Sequence, residues 1–238
     1  MRSAEAFALH GPLLELTNVT KDYQGLRPLR IASLKVNAGD QVAVVGLDAV
    51  TAEIFVNLVT GAILPDTGIV RLFGRPTSQI TDPADWMAMI ERFGLVSRRA
   101  VLLESLSVVQ NIAIPLSLEI EPPPPDVLEQ ATARAREAGL PDSSFDRPVA
   151  ELDAAGQFRV RLAKALAPTP AVVVYEHPTA ELAPADHAAI AEQCRAVASA
   201  RHIASVVLTA DRDFAKATAS QVLSLEPASG WLSRFRRA

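Results

Sequence analysis

Apolar and polar positions divide the chain into a strand-rich opening, a more helical middle and a closing part in which strands and helices take turns. Two runs, Leu13 to Val19 (LLELTNV) and Leu29 to Val36 (LRIASLKV), predict strands, and the turn AGD leads into a third, Gln41 to Gly46 (QVAVVG). That third run has no polar alternation, which predicts a strand covered on both faces. From Thr51 to Thr60 the apolar residues Ala52, Phe55, Val56 and Val59 recur at helical spacing, and Gly61 ends the run. LPDTG then reads as a turn before a strand over Ile69 to Phe73.

Past Trp86 the character shifts toward helix, with a strand-like FGLV (Phe93 to Val96) and a helical candidate opening at Ser107. The proline run Glu121 to Pro125 predicts a stiff, non-helical connector, after which Asp126 is expected to cap an alanine-rich helix closing at Gly139. A helix over about Ala155 to Ala167, a strand Ala171 to Tyr175, a helix Pro184 to Ala200, a strand Ile203 to Leu208, a short helix from Arg212 and a strand Gln221 to Glu226 complete the chain. No internal repeat is present. This order predicts an α/β fold with a mainly parallel sheet and a helical subdomain over about 92–150 inserted in a single domain spanning 1–238.

Composition changes this picture little. With 238 residues, 49% hydrophobic and 21% charged, the chain can bury a large core. A net charge of -4 gives no electrostatic footprint for nucleic acid, and the basic cluster Arg234, Arg236, Arg237 reads as a solvated terminus. The only cysteine, Cys194, reads as filler in a helical segment; it leaves no disulfide framework and fits a reducing, cytoplasmic setting. The opening MRSAEAFALHG lacks the apolar stretch of a secretory signal, and no run is long enough to span a bilayer, so work at a membrane is expected to go through a partner.

The order of segments, from Leu14 to about Gly230, resembles the ATP-binding subunits of ABC transporters. FVNLVTGAILPDTGIVRLFGRP (Phe55 to Pro76) is similar to the segment that follows that family's phosphate loop. LDAAGQFRVRLAKALAPTPAVVVYEHPTAEL (Leu152 to Leu182) is similar to its signature helix running into the catalytic strand. GLDAVTAEI (Gly46 to Ile54) occupies the phosphate loop without insertion or deletion.

A G-x-x-x-x-G-K-[ST] loop works because glycines turn backbone N–H groups inward, a lysine reaches the terminal phosphates and a hydroxyl binds magnesium. By the resemblance Gly46 survives, Ala49 and Thr51 stand at glycine positions, Ala52 at the lysine, Glu53 at the hydroxyl and Ile54 just after it. Glu53 would face triphosphate oxygens with like charge, a penalty of order 1 kcal/mol at contact distance in wet surroundings. At the catalytic strand Glu176 stands at the magnesium-supporting aspartate, and His177 replaces the glutamate that polarises water. His177 reads as a structural group hydrogen-bonded at the strand end. Arg98 stands at the metal-sensing glutamine and Ala210 at the histidine that contacts the terminal phosphate. After Leu152, Asp153 and Ala154 replace the serine and first glycine of the signature, and Ala155 and Gly156 the second glycine and the glutamine. Tyr23 sits where the family stacks an aromatic ring on adenine.

The resemblance therefore implies a retained fold, a P-loop NTPase-like core with a mainly parallel sheet, an antiparallel N-terminal β part and a helical subdomain, with hydrolysis lost: a pseudo-ATPase that couples or scaffolds a membrane transport complex. No catalytic residue or metal ligand is assigned, Glu176, His177 and Ala210 being degenerate catalytic positions, and ATP and magnesium are expected to bind weakly at most. The implied partners are an integral-membrane permease subunit, a second ATP-binding subunit paired head to tail, or both, and no nucleic acid. The implied place is cytoplasmic, peripheral on the inner face of the cell membrane. Asp153 would bring a carboxylate near a partner's bound phosphate. A groove bordered by Arg98 to Ser107, apolar through Ala100, Val101, Leu102 and Leu103 and basic through Arg98 and Arg99, is expected to receive a permease helix. Two alternatives remain: a divergent Mg-ATPase in which Glu53, Glu176 and His177 form a remodelled magnesium site, and a soluble regulator using the same fold.

Overall fold

The computed structural model describes residues 11–234. Residues 1–10 of the opening stretch, and Arg236 and Arg237 of the basic cluster, lie outside the described residues. In chain order the elements are β1 (Leu14–Lys21), β2 (Leu29–Val36), β3 (Gln41–Val45), α1 (Ala49–Val59), β4 (Thr67–Leu72), β5 (Arg75–Pro76), α2 (Pro83–Ile90) and β6 (Phe93–Val96). There follow α3 (Val108–Ala113), α4 (Pro125–Glu137), α5 (Ala154–Leu166), β7 (Val172–Glu176), α6 (His187–Arg201), β8 (Ala204–Leu208), α7 (Arg212–Thr218), β9 (Gln221–Leu225) and β10 (Leu232–Arg234).

Two sheets form. The smaller, in the order β2-β1-β4-β5, is antiparallel, with Leu14 opposite Val36 and Lys21 opposite Leu29. The larger, β10-β9-β3-β8-β7-β6, is parallel except for β10. β3 explains the missing polar alternation: Ala43 and Val45 join one apolar cluster, Val42 and Val44 the other. Because successive side chains of a strand leave opposite faces, a strand covered on both sides must be apolar at every position. β7 repeats the arrangement, with Val173 and Tyr175 on one side and Val172 and Val174 on the other. Val108 and Ile112 of α3 and Ala131 and Ala135 of α4 are buried in the cluster that also takes α5 and one face of the parallel sheet.

Several boundaries differ from the expectation. α1 starts at Ala49, before Thr51, because Asp48 caps it. Asp126 lies inside the first turn of α4 rather than at its cap, and Pro125 is already helical. Proline fits there because its missing N–H is one the helix would leave unbonded anyway. α2 was not separable by periodicity, since only Met89 of it is buried, yet Asp82 caps it and Pro83 opens it. Ser107 does open α3, closing a capping box with Gln110. Cys194 is buried in α6, and burial pushes its thiol up to about 12, far from the thiolate needed for nucleophilic chemistry. Among the described residues no helix is long and apolar enough to cross a membrane.

Candidate functional site at the ends of the parallel strands

The loops leaving β3, β6, β7 and β8 meet at one edge of the larger sheet. β3 leaves through Gly46, whose φ is +102, and a Cβ there would stand 2.9 Å from the Leu225 carbonyl oxygen. This turn and this close approach require glycine whatever the loop binds. Leu47 is buried beyond it, and Asp48 then caps α1. Its Oδ1 accepts from the Thr51 N–H at 2.8 Å and from the Thr51 hydroxyl at 2.7 Å. These bonds, the backbone one first, hold the Asp48 carboxyl below its ordinary range against the opposing effect of burial, and nearby His177 adds to them.

Along α1 the side chains then divide. Ala52 is fully buried and continues the stripe of Phe55, Val56 and Val59 into the core. Ile54 packs partly against the same core, while Glu53 turns to the cleft.

The opposite wall is Ser97, Arg98 and Arg99 after β6, and Glu176 and His177 at the end of β7. Glu176 Oε2 accepts from the Ser97 hydroxyl at 2.7 Å and from Arg99 Nε and Nη2 at 3.2 and 2.9 Å. The same guanidinium reaches across to Glu53, Nη1 to Oε1 at 3.2 Å. Arg98 points elsewhere: its Nε meets Glu181 at 2.8 Å, and Glu181 also pairs with Arg161 at 3.4 Å. The arginine pair expected to offer free positive charge for docking is thus neutralised within the chain, because the carboxylates of Glu53, Glu176 and Glu181 lie within reach. In the same segment Val101 and Leu103 are exposed, whereas Leu102 packs against the core.

His177 takes a left-handed backbone, φ 44, and its N–H donates to the Leu208 carbonyl at 2.8 Å. The hydrogen bond expected at this strand end is therefore made by the backbone; ring Nε2 is buried without a partner among the described residues. Ala154, at the start of α5, lines a small cavity with Phe158, Arg161, Glu176 and His177. Asp153 caps α5 as Asp48 caps α1, its Oδ1 accepting from the Gly156 N–H at 2.7 Å. Ala155 and Gly156 are buried beneath that cap, and a Cβ on Gly156 would meet Leu152 Cβ at 3.0 Å.

One cleft thus gathers Ala49, Glu53, Arg98, Glu176, His177 and Ala210. A neighbouring cleft, sharing Leu47 and Asp48 with the first, gathers Tyr23, Gly46 and Thr51 beside Arg27 and Arg30. The Tyr23 ring folds over Gly25, where a Cβ would lie 2.4 Å from Cε2. Ala52 belongs to the core and Ile54 packs partly against it, while Leu152, Asp153, Ala155 and Gly156 build the start of a helix. Sequence reasoning missed two site residues, Asp48 and Ser97, and named Arg99 only as half of a basic pair. Asp48 was recoverable as an N-cap signal, an aspartate before an apolar helical stripe. Ser97 and Arg99 carried no such signal, since neither of two adjacent arginines is marked as the inward one.

No family model matches the chain. Over 179 residues it is 32% identical to the macrolide export ATP-binding/permease protein MacB of Salmonella typhimurium, an alignment covering 71% of this chain and 26% of that protein. Over 219 residues it is 25% identical to the methionine import ATP-binding protein MetN of Brucella abortus, covering 92% of this chain and 58% of that one. The chain therefore spans about a quarter of the first relative's length and little more than half of the second's. In structure, 94% of it matches cbiO1 from Clostridium perfringens, described as part of the ABC transporter complex cbiONQ, with TM-score 0.78, 19% identity and 87% of that chain covered. It matches an ATP-binding cassette dimer in a post-hydrolysis state bound to ADP and Pi with TM-score 0.75, 20% identity and 94% and 100% of the two chains covered. The chain has the ATP-binding cassette fold, and ABC-transporter ATP-binding proteins are its sequence relatives.

Proposed function

We propose that this chain is a pseudo-ATPase homologue of ABC-transporter ATP-binding subunits, one that couples or scaffolds a membrane transport complex without efficient ATP hydrolysis. The observation that carries the reading is the start of α1. The N–H of Thr51, of the kind a phosphate would need at a helix N-terminus, already donates to the chain's own Asp48 carboxylate. Behind it, the position that a phosphate-binding lysine would hold is the fully buried Ala52. A triphosphate arriving here would have to displace one carboxylate and approach a second, Glu53. The residues do not fit a magnesium nucleotide.

On this reading the partners are an integral-membrane permease subunit, a second ATP-binding subunit, or both, and the chain sits peripherally on the cytoplasmic face of the membrane through them. Within the stretch 92–150, β6 belongs to the larger sheet, and on this reading the part that follows it serves as a helical subdomain of one domain. The test is calorimetric titration of the purified protein with Mg-ATP, with phosphate release followed on the same sample. The expected result is no heat of binding at millimolar ATP and no release. Micromolar binding accompanied by turnover would overturn the reading in favour of a divergent ATPase.

A further inference from the structure

We propose that Arg99 is a built-in counter-cation for the Glu53 and Glu176 carboxylates, so that the cleft excludes a divalent cation for as long as the guanidinium stays between them. The inference rests on the pseudo-ATPase reading and says how the metal half of the site is closed. Glu176 is the residue that most needs such a charge, its side chain being only 10% exposed. A carboxylate removed from water without a counter-charge or donors is costly. Arg99 supplies two N–H groups to Glu176 Oε2 and a third to Glu53 Oε1, and the Ser97 hydroxyl supplies another to Glu176.

The arginine is placed by the chain itself. β6 and β7 run in parallel with Val96 opposite Tyr175, which sets Ser97 beside Glu176. The Arg99 N–H donates to the Ser97 oxygen at 3.1 Å, so one serine positions both the carboxylate and the backbone of the arginine that neutralises it. A planar fork of donors holds two carboxylates apart with a single charge between them. A divalent cation needs the opposite, oxygens converging to roughly 2.0–2.6 Å around one point. The two occupants exclude each other.

Arg99→Gln removes the charge and leaves both carboxylates facing one cleft. The experiment is a nucleotide-free calorimetric titration of the wild type, Arg99→Gln and Arg99→Lys with manganese, with thermal unfolding followed alongside. The expected result is that Arg99→Gln takes up one equivalent at least about tenfold more tightly than either of the others. Manganese should raise the melting temperature of that variant alone, and Glu53→Gln added to Arg99→Gln should abolish the gain. Manganese uptake by the wild type as tight as by Arg99→Gln, or a folded Arg99→Gln with no gain, overturns the proposal. Should Arg99→Gln fail to fold, recovery of its fold on adding manganese supports the proposal and failure to recover overturns it. Because no nucleotide is present, these outcomes are separate from that of the Mg-ATP titration.

Discussion

Strands β3 and β7 and the loops that leave them are built to opposite rules. Val42 to Val45 and Val172 to Tyr175 are almost wholly buried, each side chain committed to one of two apolar clusters. A few residues further on, Asp48, Glu53, Glu176, Arg98 and Arg99 are polar, and each is held by another group of the same chain. Burial dictates the strands, because every side chain removed from water there stabilises the fold roughly in proportion to its apolar area. The loop ends carry little of that burial, so their residues can change without loss of the architecture, provided polar groups near the interior still find partners. An intact sheet by itself therefore says nothing about what its edge binds.

This contrast can be broken at graded cost. Phe55→Ala, in the fully buried stripe of α1, should destabilise by about 3–5 kcal/mol in urea unfolding. A loss below about 1 kcal/mol would mean that α1 is not anchored by its core face. Asp48→Ala, at the polar start of the same helix, should cost about 0.5–2 kcal/mol. Its pH dependence sharpens the point. The folded-state pKa of Asp48 lies below the ordinary 3.8, so its stabilisation is fully present above that value and is lost as pH falls toward the depressed folded value. Unfolding curves of wild type and Asp48→Asn should accordingly differ at neutral pH and converge in acid. A difference unchanged between pH 7 and the acid limit would show that the carboxylate charge is not what caps the helix. The smallest effect is expected from Arg98→Ala. This side chain is 67% exposed, and its ion pair with Glu181 should contribute under about 1 kcal/mol and fade with added salt. A larger loss would reveal that the Arg98, Glu181 and Arg161 network supports more than its exposure indicates.

Much of the site was legible as position and little of it as contact. Gly46, Glu53, Arg98, Glu176, His177 and Ala210 were named from their order along the chain, and the fold brings all but Gly46 into a single cleft, with Gly46 next door. Arg99 was mentioned only as half of a basic pair, because adjacent residues after a strand leave in different directions and only the tertiary arrangement selects which one faces the carboxylates. Ala52 looked like a lost lysine. The structure adds that its side chain is part of the hydrophobic core, which follows from the helical stripe it shares with Phe55, Val56 and Val59.

By itself the sequence determined the alternating order of strands and helices, the two-sided burial of β3 and the turns that separate the elements, but not most of the helix caps. What it determined depends on periodicity and local backbone preference, which act over a few residues. Only the tertiary structure decided that Arg99 bridges Glu53 and Glu176, that Arg98 turns away to Glu181, and that Ser97 holds the arrangement together. Those contacts join residues dozens of positions apart through electrostatics and hydrogen-bond geometry, and such interactions have no period along the chain to betray them.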